Sequence, residues 1–289
     1  MNKMNLTTRL KPMSVNKINI IISVLLSLGV LLSTSCKKTN ENNIVNYDYG
    51  VKSTSDYASA QHLSISLANT YFKAVYDTSL INTGTSSIDG ADVKYYPDSV
   101  FQLRIIYPSW GRDDGYGNWR QGEIHIQANG GFFNEDANTN FLFVDFSFTK
   151  DNIIAHNYSV KYLGENSFQI IGDSVCRFID TTGVIVFNSQ QIYTVILSDT
   201  NEFIPDQLQI SGLLNGKSSA GSLFETSVNV DIISDLKCNW MKQGELGITY
   251  DSLEFPGTVY YNDISVCENF YNLIIDEVDF PSEIQKPKW

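Results

Sequence analysis

The sequence predicts a mainly β protein: an antiparallel meander, forming a curled sheet or a sandwich, with one N-terminal amphipathic helix packed against it. Three observations carry this. Past Gly84 the chain alternates with period two, as in NFLFVDFSFTK, where Leu142, Val144, Phe146 and Phe148 face one way. The runs are joined by turn residues too short for helical crossovers. Ahead of them, one stretch has helical spacing instead.

The helix spans about Asp56 to Asp77. At about 100° per residue, Leu63, Leu67, Ala60, Tyr71 and Val75 form one stripe, continued by Ala68, Phe72, Ile65 and Tyr76. Ser64 and Gln61 interrupt it, while His62, Ser66, Asn69, Thr70, Lys73 and Asp77 occupy the remaining face. Such a wide stripe suits a helix cradled by a curved sheet, or covered by loops on its flanks, better than one lying on a flat surface.

The strands follow in order. SVFQLRIIY, WRQGEIHIQ, NFLFVDFSFTK, NIIAHNYSVKYL, NSFQIIGDS and GVIVFN come first, then QIYTVILSD, ETSVNVDII, GELGITY, GTVYYN and FYNLIIDEV. Turns are expected at Lys150-Asp151-Asn152, Leu163-Gly164-Glu165-Asn166, Thr182-Gly183, Asn188-Ser189 and Pro256-Gly257.

The N-terminus is an export signal in pattern. Lys3, Arg9, Lys11 and Lys17 are its only charges, and an apolar run from Ile18 to Leu32 follows. That run is shorter than the ~20 residues of a spanning helix and suits the hydrophobic part of a leader. It reads the same from Met1 or from Met13. Leu32-Ser33-Thr34-Ser35-Cys36 resembles a bacterial lipobox of the Ser/Thr-rich kind found in Bacteroidota lipoproteins, with Ser33 where leucine is usual. The resemblance implies removal of residues 1–35 and diacylation of Cys36, and several acyl chains together hold a protein stably on a membrane. Residues 36–53 read as the lipidated cysteine and a flexible tether, and 54–289 as a single domain.

The net charge is −12 over 289 residues, and it becomes more negative once the basic leader is removed. Nucleic acid and anionic lipid surfaces, which reward Lys and Arg clusters, are therefore not expected partners. Hydrophobic content of 43%, with 16 Phe and 16 Tyr, supports a real core rather than disorder.

Arg120-Gln121-Gly122-Glu123-Ile124-His125-Ile126 opens a β-meander; FLFVDFSFTKDNIIAHNYSVKYLGENSFQI continues it; LKCNWMKQGELGITY and GTVYYNDISVCEN end it. In this order the chain is similar to a group of uncharacterised Bacteroidota cell-envelope lipoproteins, over about Asp56 to Val278. The matching positions are Arg120, Gly122, Gly164, Cys238, Gly244, Gly257, Cys267, Glu268 and Asn269. The chain departs from that pattern in having no cysteine between Cys36 and Cys176. The resemblance implies a place and a fold, an outer-membrane lipoprotein on the periplasmic or cell-surface face, and no reaction.

Candidate sites are few. Cys238 and Cys267 are placed to close a disulfide in an oxidising compartment, which contributes roughly 3 kcal/mol in the chain-entropy picture. Cys176 is then a free thiol. His62, His125 and His156 lack metal-ligand spacing and are expected on the surface, so no metal or other cofactor is expected. No nucleophile motif such as G-x-S-x-G occurs. RDDGYGN, Arg112 to Asn118, has oxygen ligands but not the spacing of an EF-hand, and reads as a Gly-rich hairpin loop. Trp110 and Trp119 flank that loop, with Tyr116 inside it. Exposed, these rings would stack on sugars; otherwise they pack at the sheet edge, the commoner outcome.

The expected function is a lipid-anchored, non-catalytic binding or structural module whose partner is a glycan, a small apolar ligand within the curled sheet, or another envelope protein. The alternative is an envelope hydrolase acting on carbohydrate through paired carboxylates.

Overall fold

The computed structural model describes residues 46–135, 137–179, 183–199, 201–261 and 269–284. Two helices come first, α1 (Asp48–Tyr76) and α2 (Thr78–Thr83). The strands are β1 (Thr85–Ile88), β2 (Ala91–Tyr95), β3 (Leu103–Asp113), β4 (Trp119–Ala128) and β5 (Asn138–Phe148). Then come β6 (Asp151–Ile154), β7 (Asn157–Gly164), β8 (Ser167–Ile179), β9 (Gly183–Ser198) and β10 (Asn201–Lys217). The last are β11 (Leu223–Asp235), β12 (Met241–Tyr250), β13 (Gly257–Tyr261), β14 (Phe270–Ile275) and β15 (Val278–Glu283).

All 15 strands belong to one antiparallel sheet that follows chain order, with β7 set aside to pair β5 and β8 while β6 pairs β5 and β8 further along. Of the two expected architectures, the curled single sheet is the one formed; among the described residues every strand belongs to it. The sheet wraps α1, which touches β9 to β12 on one side and β1, β14 and β15 on the other. At 1.5 Å per residue the 29-residue helix is about 43 Å long, so it threads the whole interior.

The sequence predicts the start of α1 about eight residues late. Its first turn lies at Asp48, inside the stretch expected to be tether, where Thr54 Oγ1 meets the Tyr250 hydroxyl at 2.6 Å and Gly50 is buried. Two further expectations fail along the sheet. The hairpin β1–β2 and strand β10 are additional to the strands read from period two. Asn188 and Ser189, expected as a turn, lie in the middle of β9, where the Ser189 hydroxyl accepts the Gly172 N–H at 3.1 Å. Ser189 is buried and Asn188 exposed, where its Oδ1 accepts the Ser174 N–H at 2.8 Å; polar side chains bonded to a neighbouring strand imitate turn chemistry in sequence.

Curvature comes from β-bulges, where one strand carries an extra residue and bends. Ladder register shifts between Tyr107 and Arg112 on β3, Gln121 and Glu123 on β4, and Gly172 and Val175 on β8. Gly122 sits at φ +84° with its Cα hydrogens against the carbonyl of Asp145, itself at φ +47°. A Cβ there would collide with backbone, which cannot swing aside. Gly122→Ala is therefore expected to lower unfolding stability by more than about 2 kcal/mol, readable as a shifted urea midpoint.

The polar face of α1 is enclosed along with the apolar one. His62, Ser66, Asn69 and Thr70 are all buried. His62, expected on the surface, lies flat against Trp240 with ring centroids 3.8 Å apart, and Phe148 stands edge-on at 5.3 Å. Burial first, then the nearby charge of Arg177, depress its pKa from 6.5 to about 3; Asp114 opposes this, and Arg120 adds a lesser downward effect. The unfolded chain takes up a proton that the folded chain refuses. Stability on this account falls as pH drops from about 6.5 toward 3. A urea-midpoint series from pH 7 to pH 4 should show that loss, and a shallower slope in His62→Phe, which keeps an aromatic ring but cannot titrate.

Candidate functional site

Several polar side chains of α1 are met by groups from the surrounding wall. Asp56 accepts from the Ser219 N–H and hydroxyl, both at 2.7 Å; Gln61 accepts from Gln191 Nε2 at 2.7 Å; Asn69 donates to Asn239 and to the Leu236 carbonyl. Arg177 donates to Asp151 Oδ2 at 2.7 Å, Thr149 Oγ1 at 2.6 Å and the Ser59 carbonyl at 3.1 Å.

The strongest of these contacts is a buried ion pair. Arg120, fully enclosed on β4, donates Nε and Nη2 to Asp114 Oδ2 at 2.9 and 2.6 Å. Its other protons go to Ser66 Oγ at 2.6 Å, Thr70 Oγ1 at 2.9 Å and the Tyr107 hydroxyl at 2.9 Å. Burial pushes the Asp114 carboxyl up, but the Arg120 charge and hydrogen bonds from Asn118 and the Tyr116 N–H outweigh it, and the net shift is downward. This explains RDDGYGN: Asp113 and Asp114 bind the loop's own N–H groups, at Gly115, Tyr116 and Asn118. No group of three or more His, Cys, Asp or Glu assembles among the described residues.

From this pair a polar chain runs outward to a cleft of about 600 Å³ at the C-terminal end of α1. Thr70 donates to Asp89 Oδ2 at 2.8 Å; Lys73 Nζ donates to Asp89 Oδ1 at 2.6 Å and to the Tyr116 hydroxyl at 2.8 Å. Tyr116 in turn donates to the Leu236 carbonyl at 3.2 Å. Asp89 reaches this position because Asp89 and Gly90 form a two-residue hairpin turn with φ of +48° and +75°, the left-handed pair that such turns require. Asp77 caps α2 by accepting the Leu80 N–H at 3.1 Å, and it accepts from Ser86 Oγ at 2.8 Å. Burial raises the Asp77 carboxyl, and these hydrogen bonds more than reverse that, leaving it below the ordinary value.

The cleft lining is balanced. Lys73 and Lys237 stand against Asp77 and Asp89, with Ser86 and Ser87 between, and Tyr76, Ile88, Pro205 and Leu236 supply apolar surface. One wall is β1, which among the described residues is a sheet edge paired with β2 alone. Ser87 there is exposed and lines the cleft.

Of the three aromatic residues singled out from sequence, only Tyr116 lines this cleft. Trp119 is half-buried with its indole over Gly111, and Trp110 projects from β3 with 76% of its surface exposed. Cys238 is disulfide-bonded and lies directly after the cleft residue Lys237, while Cys176 carries a free thiol whose pKa burial raises. Cys267, the expected partner of Cys238, and Cys36, the expected lipid acceptor, lie outside the described residues.

Lys73, Asp89 and Asp114 escape sequence reading as site residues. A signal for Asp89 does exist in Ile88-Asp89-Gly90-Ala91, a strong hairpin motif. Compared with protein-family models, curated proteins and solved structures, the chain matches none.

Removing Arg120 strands a buried carboxylate. Arg120→Met should cost about 3–5 kcal/mol of stability. The double change with Asp114→Asn should cost less than Arg120→Met alone, by chemical denaturation.

Proposed function

We propose that this chain is a lipid-anchored, non-catalytic binding module of the bacterial cell envelope, which takes a neutral polyhydroxylated ligand of the glycan class in the cleft at the end of α1. The observation that carries the reading is the cleft's lining. Charges there are balanced and each has a partner, Lys73 in Asp89, Lys237 in Asp206 and Asp77 in its hydrogen-bond donors, so an ionic ligand finds no excess of either sign. What remains free is a mixture of donors and acceptors, on Ser86, Ser87 and the third proton of Lys73, beside the rings of Tyr76 and Tyr116. Hydroxyl groups, which donate and accept, match such a surface. The polar chain back to Arg120 fixes Lys73, Asp89 and Tyr116 before any ligand arrives, which reduces the ordering cost of binding.

Two further points support the reading. The lipobox-like Leu32–Cys36 segment suits an anchored envelope protein. Glycoside hydrolysis needs one carboxylic acid with a raised pKa, whereas Asp77 in the cleft is shifted down. That favours binding over the hydrolase alternative.

The anchor and the ligand are tested separately. Radioactive palmitate should label the full-length chain in the membrane fraction and not Cys36→Ala. Soluble mature protein should bind neutral oligosaccharides on a glycan array and lose at least tenfold affinity in Ser87→Trp, whose ring fills the cleft from an exposed position. Unlabelled, freely released wild type removes the lipoprotein reading; array binding indifferent to Ser87→Trp removes the cleft.

A further inference from the structure

The curled wall has an opening between β5 and β6. β5 pairs β7 through Asn138 to Asn140 and β6 through Ser147 and Phe148. The link between β6 and β7, Ala155 and His156, is drawn toward β8, where the His156 N–H donates to the Asp173 carbonyl at 3.2 Å. Along 141–146 the edge of β5 that faces away from β4 therefore meets no strand among the described residues. Neighbouring strands ordinarily lie ~4.8 Å apart, so a missing partner leaves a slit.

The side chains register that slit. Phe141 and Phe143 face inward, Phe141 to within 5.3 Å of the Tyr71 ring on α1, yet both stay half-buried while Phe146 and Phe148 are fully buried. The space measures about 550 Å³. Phe143 and Phe146 lie nearly parallel at 5.6 Å and 27°, and Tyr158 stands edge-on to Phe141 and Phe143 at 5.2 and 5.8 Å. The lips are Leu142 and Ile154, 49% and 57% exposed. The rim carries the amides of Gln121 and Asn152, and Asp145.

We infer that this slit binds a neutral, planar, largely aromatic molecule that offers one hydrogen-bonding edge to the rim. A flat ring fits a slit walled by ring faces and edges, where offset and T-shaped contacts are favoured. The unpaired β5 backbone and the two amides supply both donors and acceptors for its polar edge. The Asp145 carboxylate at the rim opposes an anionic group. The site lies on a different part of the wall from the cleft and does not depend on it.

Nile red, a neutral planar dye, tests the assignment on the mature chain. Saturable uptake of one dye per chain with blue-shifted emission is expected. Leu142→Asp with Ile154→Asp, both at exposed positions and checked for an unchanged circular dichroism spectrum, should weaken it at least tenfold. Ser87→Trp in the cleft should leave it unaltered, and 2-naphthamide should displace the dye. Uptake that does not saturate, or that ignores the lip changes, overturns the site. Displacement by monoolein and not by 2-naphthamide overturns the planar ligand.

Discussion

The Arg120–Asp114 pair is the constraint on which the interior depends. A sheet curled fully around a helix buries the helix's polar face as well as its apolar one. Buried polar groups are costly unless matched. Arg120 answers that demand for Ser66 and Thr70 at once, and Asp114 neutralises the charge that Arg120 brings inside. Arg177 and Asp151 repeat the device one helical region earlier, through the Ser59 carbonyl. Two buried guanidinium groups thus set how the wall sits on the helix, since each has five donors in a fixed fork.

Curvature and enclosure are coupled. Without the bulges at Gly122 and its neighbours the sheet would open, and α1 would expose the polar stripe that Arg120 now caps. The motif Arg120-Gln121-Gly122 places both requirements within three residues: a side chain that closes the interior and a backbone that bends the wall. Trp110 is exposed whereas the Tyr116 hydroxyl accepts from Lys73 in the cleft, so aromatic residues close in sequence end with different surroundings.

The cleft inherits its order from the core. Thr70 takes part in both networks, accepting from Arg120 and donating to Asp89. Through it, Lys73 and Tyr116 are fixed to the rigid centre of the molecule rather than to a mobile surface loop. Positioning of this kind is what a binding surface needs to recognise a ligand without reorganising.

The sequence by itself determined the β-meander and its helix, because period-two and period-3.6 patterns follow from where Cβ atoms point along each backbone. It also determined that the helix needed more than one covered side, since its apolar stripe is too wide for a flat contact. The tertiary structure decided what lay beyond local patterning. His62, Asn69 and Thr70 look solvated by residue type, and only the full turn of the sheet buries them. Asp114 reads as one of two loop aspartates until Arg120 is brought to it across the hairpin. Lys73, Asp89 and Tyr116 belong to three separate elements, and their meeting depends on long-range register and on bulges. Those are set by backbone collisions such as Gly122 against Asp145, which no single stretch of sequence contains.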